Sequence, residues 1–89
     1  GTLRPFGEFF EPLTGRRMKM SLTQPGVQFY TGNMLPSIAG KGGAIYGRYS
    51  GFCVEPEFFP DTPNQLAFPN AVFGPGRGYD EKAVYKFEW

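Results

Sequence analysis

Thirteen glycines and nine prolines punctuate a chain of 89 residues, about one position in four. Proline blocks both helix continuation and a ladder hydrogen bond, and glycine weakens either element. Long helices are therefore ruled out, and short strands joined by turns remain. In a chain poor in aromatics such content would mean low complexity. Here ten Phe, five Tyr and one Trp make up 18% of the residues, so general disorder is excluded. The length allows one small domain at most.

The pattern reads as strand, turn, strand. From Arg16 to Leu22 the side chains alternate: Met18, Met20 and Leu22 on one face, Arg17, Lys19 and Ser21 on the other. That period of two predicts a half-buried strand. Pro25-Gly26 predicts a turn, with glycine accepting a positive φ. Val27 to Thr31 follows as a strand with Gln28 and Tyr30 on one face. Met34 to Gly43 reads as a loop, Ala44 to Arg48 as a short strand, and Phe52 to Glu55 as another, with Cys53 opposite Phe52 and Val54. Four prolines between Pro56 and Pro69 predict an irregular segment. Ala71 to Phe73 reads as a strand before a Pro75-Gly76 turn. Ala83 to Trp89 is the last strand, with Ala83, Tyr85, Phe87 and Trp89 sharing a face. No internal repeat or domain boundary is visible.

Nine basic and eight acidic residues nearly cancel. The first 50 residues are net basic and the rest net acidic, and no basic stripe of the kind nucleic acid requires is present. No stretch approaches the roughly 20 apolar residues of a membrane span. Gly1-Thr2-Leu3-Arg4-Pro5 does not resemble a signal peptide, and glycine in place of methionine points to a segment upstream. Cys53 is the single cysteine, so no internal disulfide can form, and the unpaired thiol points to a reducing cytoplasm. There is no histidine. That removes Cys/His zinc sites and the commonest acid–base side chain.

Among residues that carry chemistry, Glu55 stands out. The apolar run Gly51-Phe52-Cys53-Val54-Glu55-Pro56 would partly desolvate it, and a desolvated carboxylate is a stronger base. The rival reading is a solvated edge-strand glutamate. Gln28 alternates with apolar residues, and its amide suits a ligand hydroxyl as well as plain solvent. Phe9, Phe10, Phe58 and Phe59 suit sugar stacking or a core. Asp61 reads as a turn former and Cys53 as a small hydrophobe. Lys41-Gly42-Gly43 lacks the spacing of a phosphate loop.

Several motifs together resemble one family. Pro25-Gly26-Val27-Gln28-Phe29-Tyr30-Thr31-Gly32-Asn33, the loop Gly40-Lys41-Gly42-Gly43-Ala44-Ile45-Tyr46 and the strand Gly51-Phe52-Cys53-Val54-Glu55 are similar to segments of the aldose 1-epimerase (galactose mutarotase) family. Phe59-Pro60-Asp61, Asn64, Phe68-Pro69 and Pro75-Gly76 follow in the same order. The likeness covers at least Thr14 to Phe87.

The resemblance implies an all-β fold, with residues 1–89 as the C-terminal portion of a large antiparallel β-sandwich. It implies an enzyme that interconverts the α and β anomers of free hexoses such as galactose and glucose, without a cofactor or a metal. Glu55 falls on the family's general base and Gln28 on a sugar contact. The family's acid histidine has no counterpart here and would come from a missing N-terminal segment or a companion chain. Tyr49 stands where a histidine is common, Val54 replaces leucine, and Pro56-Glu57 replaces a Thr-Gln pair. The rival functions are a non-catalytic carbohydrate-binding or structural β module and a small peptide-binding β domain.

Overall fold

A computed structural model describes all 89 residues. It is built from seven strands: β1 (Arg4–Phe10), β2 (Arg17–Leu22), β3 (Gly26–Tyr30), β4 (Ile38–Ala39), β5 (Ile45–Tyr46), β6 (Cys53–Glu57) and β7 (Ala83–Glu88). Two single 3₁₀ turns, Lys41–Gly43 and Thr62–Asn64, are the only helical pieces. No helix is long and apolar enough to cross a membrane. All strand pairs are antiparallel, in sheets ordered β1-β2-β7, β3-β6 and β4-β5. The chain is an all-β sandwich segment.

The alternation read from β2 fixes the faces of the first sheet. Met18 lies between Phe9 and Phe87, and Met20 between Gly7 and Tyr85. Directly opposed residues project to one side, so these form the inner face. Because β2 is the central strand, Met20 and Leu22 are almost fully buried, at 2% and 1% exposure. The outer face is charged. Arg17 pairs with Glu8 and lies 4.8 Å over the Phe10 ring, while Glu88 is 3.4 Å from Lys19 and 3.6 Å from Lys86.

Strand β1 has no clear alternation in the sequence. Pro5 and Gly7 interrupt its alternation, and the register shifts between them, a bulge that moves the following side chains out of phase. Its link to β2 is a loop organised by Glu11, whose carboxylate accepts from the Leu13 and Thr14 amides and the Thr14 hydroxyl.

Between β2 and β3 the chain crosses from one sheet to the other. The bend comes at Thr23 to Pro25, and Gly26 already belongs to β3 without a positive φ. Glycine leaves room there for Phe59, since a Cβ would sit 2.7 Å from its ring and would have to displace it. Phe9 of the first sheet then meets Phe29 and Phe52 of the second at centroid distances of 5.9 and 5.6 Å, joining the two layers.

Three further expectations are corrected. The Met34–Gly43 loop contains β4, which pairs with β5. The irregular segment after Pro56 begins later, because β6 runs through Pro56 to Glu57. In a two-stranded sheet its outer edge is free, and an edge tolerates proline. Ala71 to Phe73 forms no strand. The Val72 amide is satisfied by Asn70 Oδ1 at 3.0 Å and its carbonyl by Arg77 at 2.7 Å, which leaves little for a ladder. The Pro75-Gly76 turn is present, closed by reciprocal Gly74–Arg77 bonds, with Gly76 at φ 82°. Asp61 is a turn former, accepting from Asn64 and Gln65.

The segment is open. Four of 89 residues are buried, and the radius of gyration is 16.7 Å where a compact chain of this length has about 12 Å. Only 35 backbone–backbone hydrogen bonds form, against about 60 for a packed chain this long.

Candidate functional site

The β3–β6 register sets Gln28 directly opposite Glu55, Tyr30 opposite Cys53 and Gly26 opposite Glu57. The alternate positions pair Val27 with Pro56 and Phe29 with Val54. One face is thus polar and the other apolar. The apolar face turns toward Phe9 and Phe52, which leaves the polar face outward. Cβ atoms of directly opposed residues lie about 5 Å apart, so the Gln28 amide and the Glu55 carboxylate can reach one small polar ligand together.

Both side chains are exposed. That corrects the expectation that the apolar run around Glu55 would desolvate it. Phe52 and Val54 are adjacent in sequence, but the strand sends them to the other side, and nothing covers the Glu55 side. Gln28 Nε2 makes only a 3.5 Å contact with the Phe29 carbonyl, so its amide is free to bind elsewhere. The half-buried Glu57 shares the Glu55 face, two residues along.

The open end of this strand pair is held by backbone contacts. The Gly32 carbonyl accepts from the Leu35 amide at 3.2 Å and the Tyr49 amide at 3.0 Å. Gly32 lies against Gly51, so closely that a Cβ would be 2.5 Å from the Gly51 oxygen. The Tyr30 hydroxyl accepts from the Met34 amide at 3.3 Å. Tyr49, at φ 63°, holds a left-handed backbone that non-glycine residues seldom adopt.

The phenylalanines considered for stacking serve packing. Phe9 joins the two sheets, Phe58 and Phe59 meet Phe73 and Phe68 edge-on at 5.4 and 5.2 Å, and Phe10 lies under Arg17. No three His, Cys, Asp or Glu side chains come together as a metal-ligand set. A concavity of about 640 Å³ lies on the far side of the strand pair from Glu55, lined by residues of both sheets, and neither Gln28 nor Glu55 lines it. Seven hydrophobic side chains line it, with Glu8, Glu11, Arg16, Arg17 and Glu88 completing the lining.

Residues 3–86 match the family model for aldose 1-epimerase. The chain belongs to the aldose 1-epimerase family. It is 48% identical over 75 residues to galactose mutarotase of Homo sapiens, a match covering 83% of this chain and 22% of that relative. The galactose mutarotase of Mus musculus is 47% identical over the same shares. The aldose 1-epimerase of Escherichia coli K12 is 34% identical over 73 residues, covering 80% of this chain and 21% of that protein. The chain therefore spans about a fifth of the length of the curated relatives it matches.

Proposed function

We propose that this chain supplies the base-bearing strand pair of an aldose 1-epimerase that interconverts the anomers of a free hexose such as galactose or glucose. The observation that carries the reading is the direct opposition of Gln28 and Glu55 on one open polar face. Residues 1–89 act as the C-terminal portion of a larger sandwich domain. Its open shape and small core agree with that role.

In the proposed reaction the Glu55 carboxylate takes the proton of the C1 hydroxyl. The C1–O5 bond breaks, C1 becomes an aldehyde carbonyl, and a general acid delivers a proton to O5. Rotation about C1–C2 presents the other carbonyl face. O5 then adds back as the proton transfers reverse, and no electrons are exchanged. Gln28 holds a sugar hydroxyl so that C1 stays within reach of Glu55. The acid comes from outside this chain, which has no histidine. Alone, the chain lacks that step, and losing the general acid costs on the order of 10²–10⁴ in rate. The exposed free thiol of Cys53 suits a reducing, cytoplasmic setting.

The test is anomer exchange followed by polarimetry in the complete protein. Glu55→Gln should lower kcat by roughly 100-fold or more with little change in KM. Gln28→Ala should weaken binding by about 0.5–1.5 kcal/mol. If Glu55→Gln leaves kcat within about a factor of two, the base lies elsewhere and the reading fails.

A further inference from the structure

Of the eight carboxylates in the chain, five are engaged within it. Glu8 and Glu88 pair with cations, Glu11 and Asp61 close turns, and Glu81 accepts from the Thr23 hydroxyl. That leaves Glu55, Glu57 and Asp80 without a hydrogen bond or an ion pair inside the chain. Two of these three stand together. Glu55 and Glu57 are alternate residues of β6, so their side chains project to the same side, about 7 Å apart along the strand.

Register makes the two positions unlike. Gln28 stands opposite Glu55, and Gly26 stands opposite Glu57. Gly26 brings no side chain, and the Phe59 ring lies over its backbone instead, 2.7 Å from where a Cβ would be. The polar face is therefore open over Glu55 and walled by a ring at the Glu57 end, and Glu57 is half-buried while Glu55 is exposed. At the other end Tyr30 stands opposite Cys53. The Tyr30 hydroxyl already accepts from the Met34 amide, and a thiol is a weak acceptor. A polar ligand seated over Glu55 thus finds its further strong acceptor at Glu57.

We propose that Glu57 is a second sugar-binding carboxylate, which accepts a hydrogen bond from a hydroxyl on the far side of the hexose ring from C1 and so sets which hydroxyls the substrate must carry. The proposal rests on the reading of Glu55 and Gln28 as the sugar site. With the C1 hydroxyl at Glu55, the carbons across the pyranose ring are C3 and C4, and their hydroxyls extend along the strand toward Glu57. A hydroxyl-to-carboxylate hydrogen bond is charge-assisted, and a ring that keeps water from one side strengthens it. An analogue lacking that hydroxyl is disfavoured, because the carboxylate is then left partly desolvated and unpaired.

The experiment measures kcat and KM in the complete protein for galactose and its 2-, 3- and 4-deoxy analogues. The unaltered protein should lose about 10-fold or more in kcat/KM with either the 3-deoxy or the 4-deoxy sugar. Glu57→Ala should lose as much with galactose, mainly through KM, and should no longer distinguish galactose from that analogue. Its loss with 2-deoxygalactose should match its loss with galactose. Glu57→Gln keeps the shape and an accepting oxygen, so its selectivity should fall between the two. Asp80→Asn removes the third unpartnered carboxylate, in the loop before β7, and should change nothing. The proposal is overturned if either Glu57 variant keeps the original hydroxyl preference, or if Glu57→Ala leaves kcat/KM for galactose within about a factor of two. Equal loss with galactose and all three analogues would also overturn it, since that is what a merely structural role would give. Failure of the base reading looks different: Glu55→Gln would keep its kcat while Glu57→Ala still lost hydroxyl selectivity. An inactive Glu55→Gln beside a fully selective Glu57→Ala would leave the base standing and remove the role of Glu57.

Discussion

Replacing Leu22 by alanine should harm this chain more than replacing Phe87, although phenylalanine is much the larger side chain. Leu22 is 1% exposed on the central strand, so the change removes three fully buried carbons. At about 0.8 kcal/mol per methylene the transfer loss is ~2.4 kcal/mol. The cavity left behind raises the total to about 3 kcal/mol or more. Phe87 lies on the same face but is 60% exposed. Full burial of a phenylalanine is worth up to ~3 kcal/mol, so the part still buried contributes about 1 kcal/mol. The assay is amide hydrogen exchange along β2, whose neighbours on both sides report the stability of the sheet. Protection should fall by roughly 100-fold or more for Leu22→Ala and about 5-fold for Phe87→Ala. A Phe87→Ala effect as large as that of Leu22→Ala would refute the reasoning, because it would mean that the inner face of β7 is already covered in the isolated chain.

Two other perturbations have definite signs. Gly32→Ala should part the ends of β3 and β6, since Gly32 has φ +74° and its new Cβ would meet the Gly51 oxygen at 2.5 Å. The left-handed backbone alone costs about 1–2 kcal/mol, and exchange at Tyr30 and Cys53 should speed accordingly, whereas Gly7→Ala, with open space around it, should not affect them. The Glu88 carboxyl is held below the usual carboxylate range by its hydrogen bond with Lys19 and by the charge of Lys19, with Lys86 adding to it. A group with a depressed folded pKa stabilises the fold above its ordinary value, and that contribution is lost as pH falls through the depressed one. In ~1 M salt the Glu88 titration, followed by carboxyl ¹³C NMR, should move back up. The titration of Glu11, lowered mainly by the Thr14 hydroxyl and the Leu13 and Thr14 amides, should move little.

What the sequence by itself determined is local. Alternation in Arg16 to Leu22 marked Met18, Met20 and Leu22 as the inward set, and it put Gln28 with Tyr30 and Cys53 with Glu55, because a strand repeats every two residues wherever it lies. The ordered motifs carried the family, which the match over residues 3–86 bears out. Tertiary structure decided what depends on distant partners. That Gln28 faces Glu55 rather than Cys53 is a matter of register, which two strands more than twenty residues apart settle only by pairing. Strand β1 stayed hidden because its bulge breaks the period on which the reading relies. Glu55 is exposed, though its neighbours in sequence are apolar, because burial comes from whatever covers a face. The same rule makes Met20 core and leaves Phe87 and Trp89 in water: all three lie on the inward side of one sheet, but Met20 is on the central strand with a neighbour on each side, and the other two are at an edge.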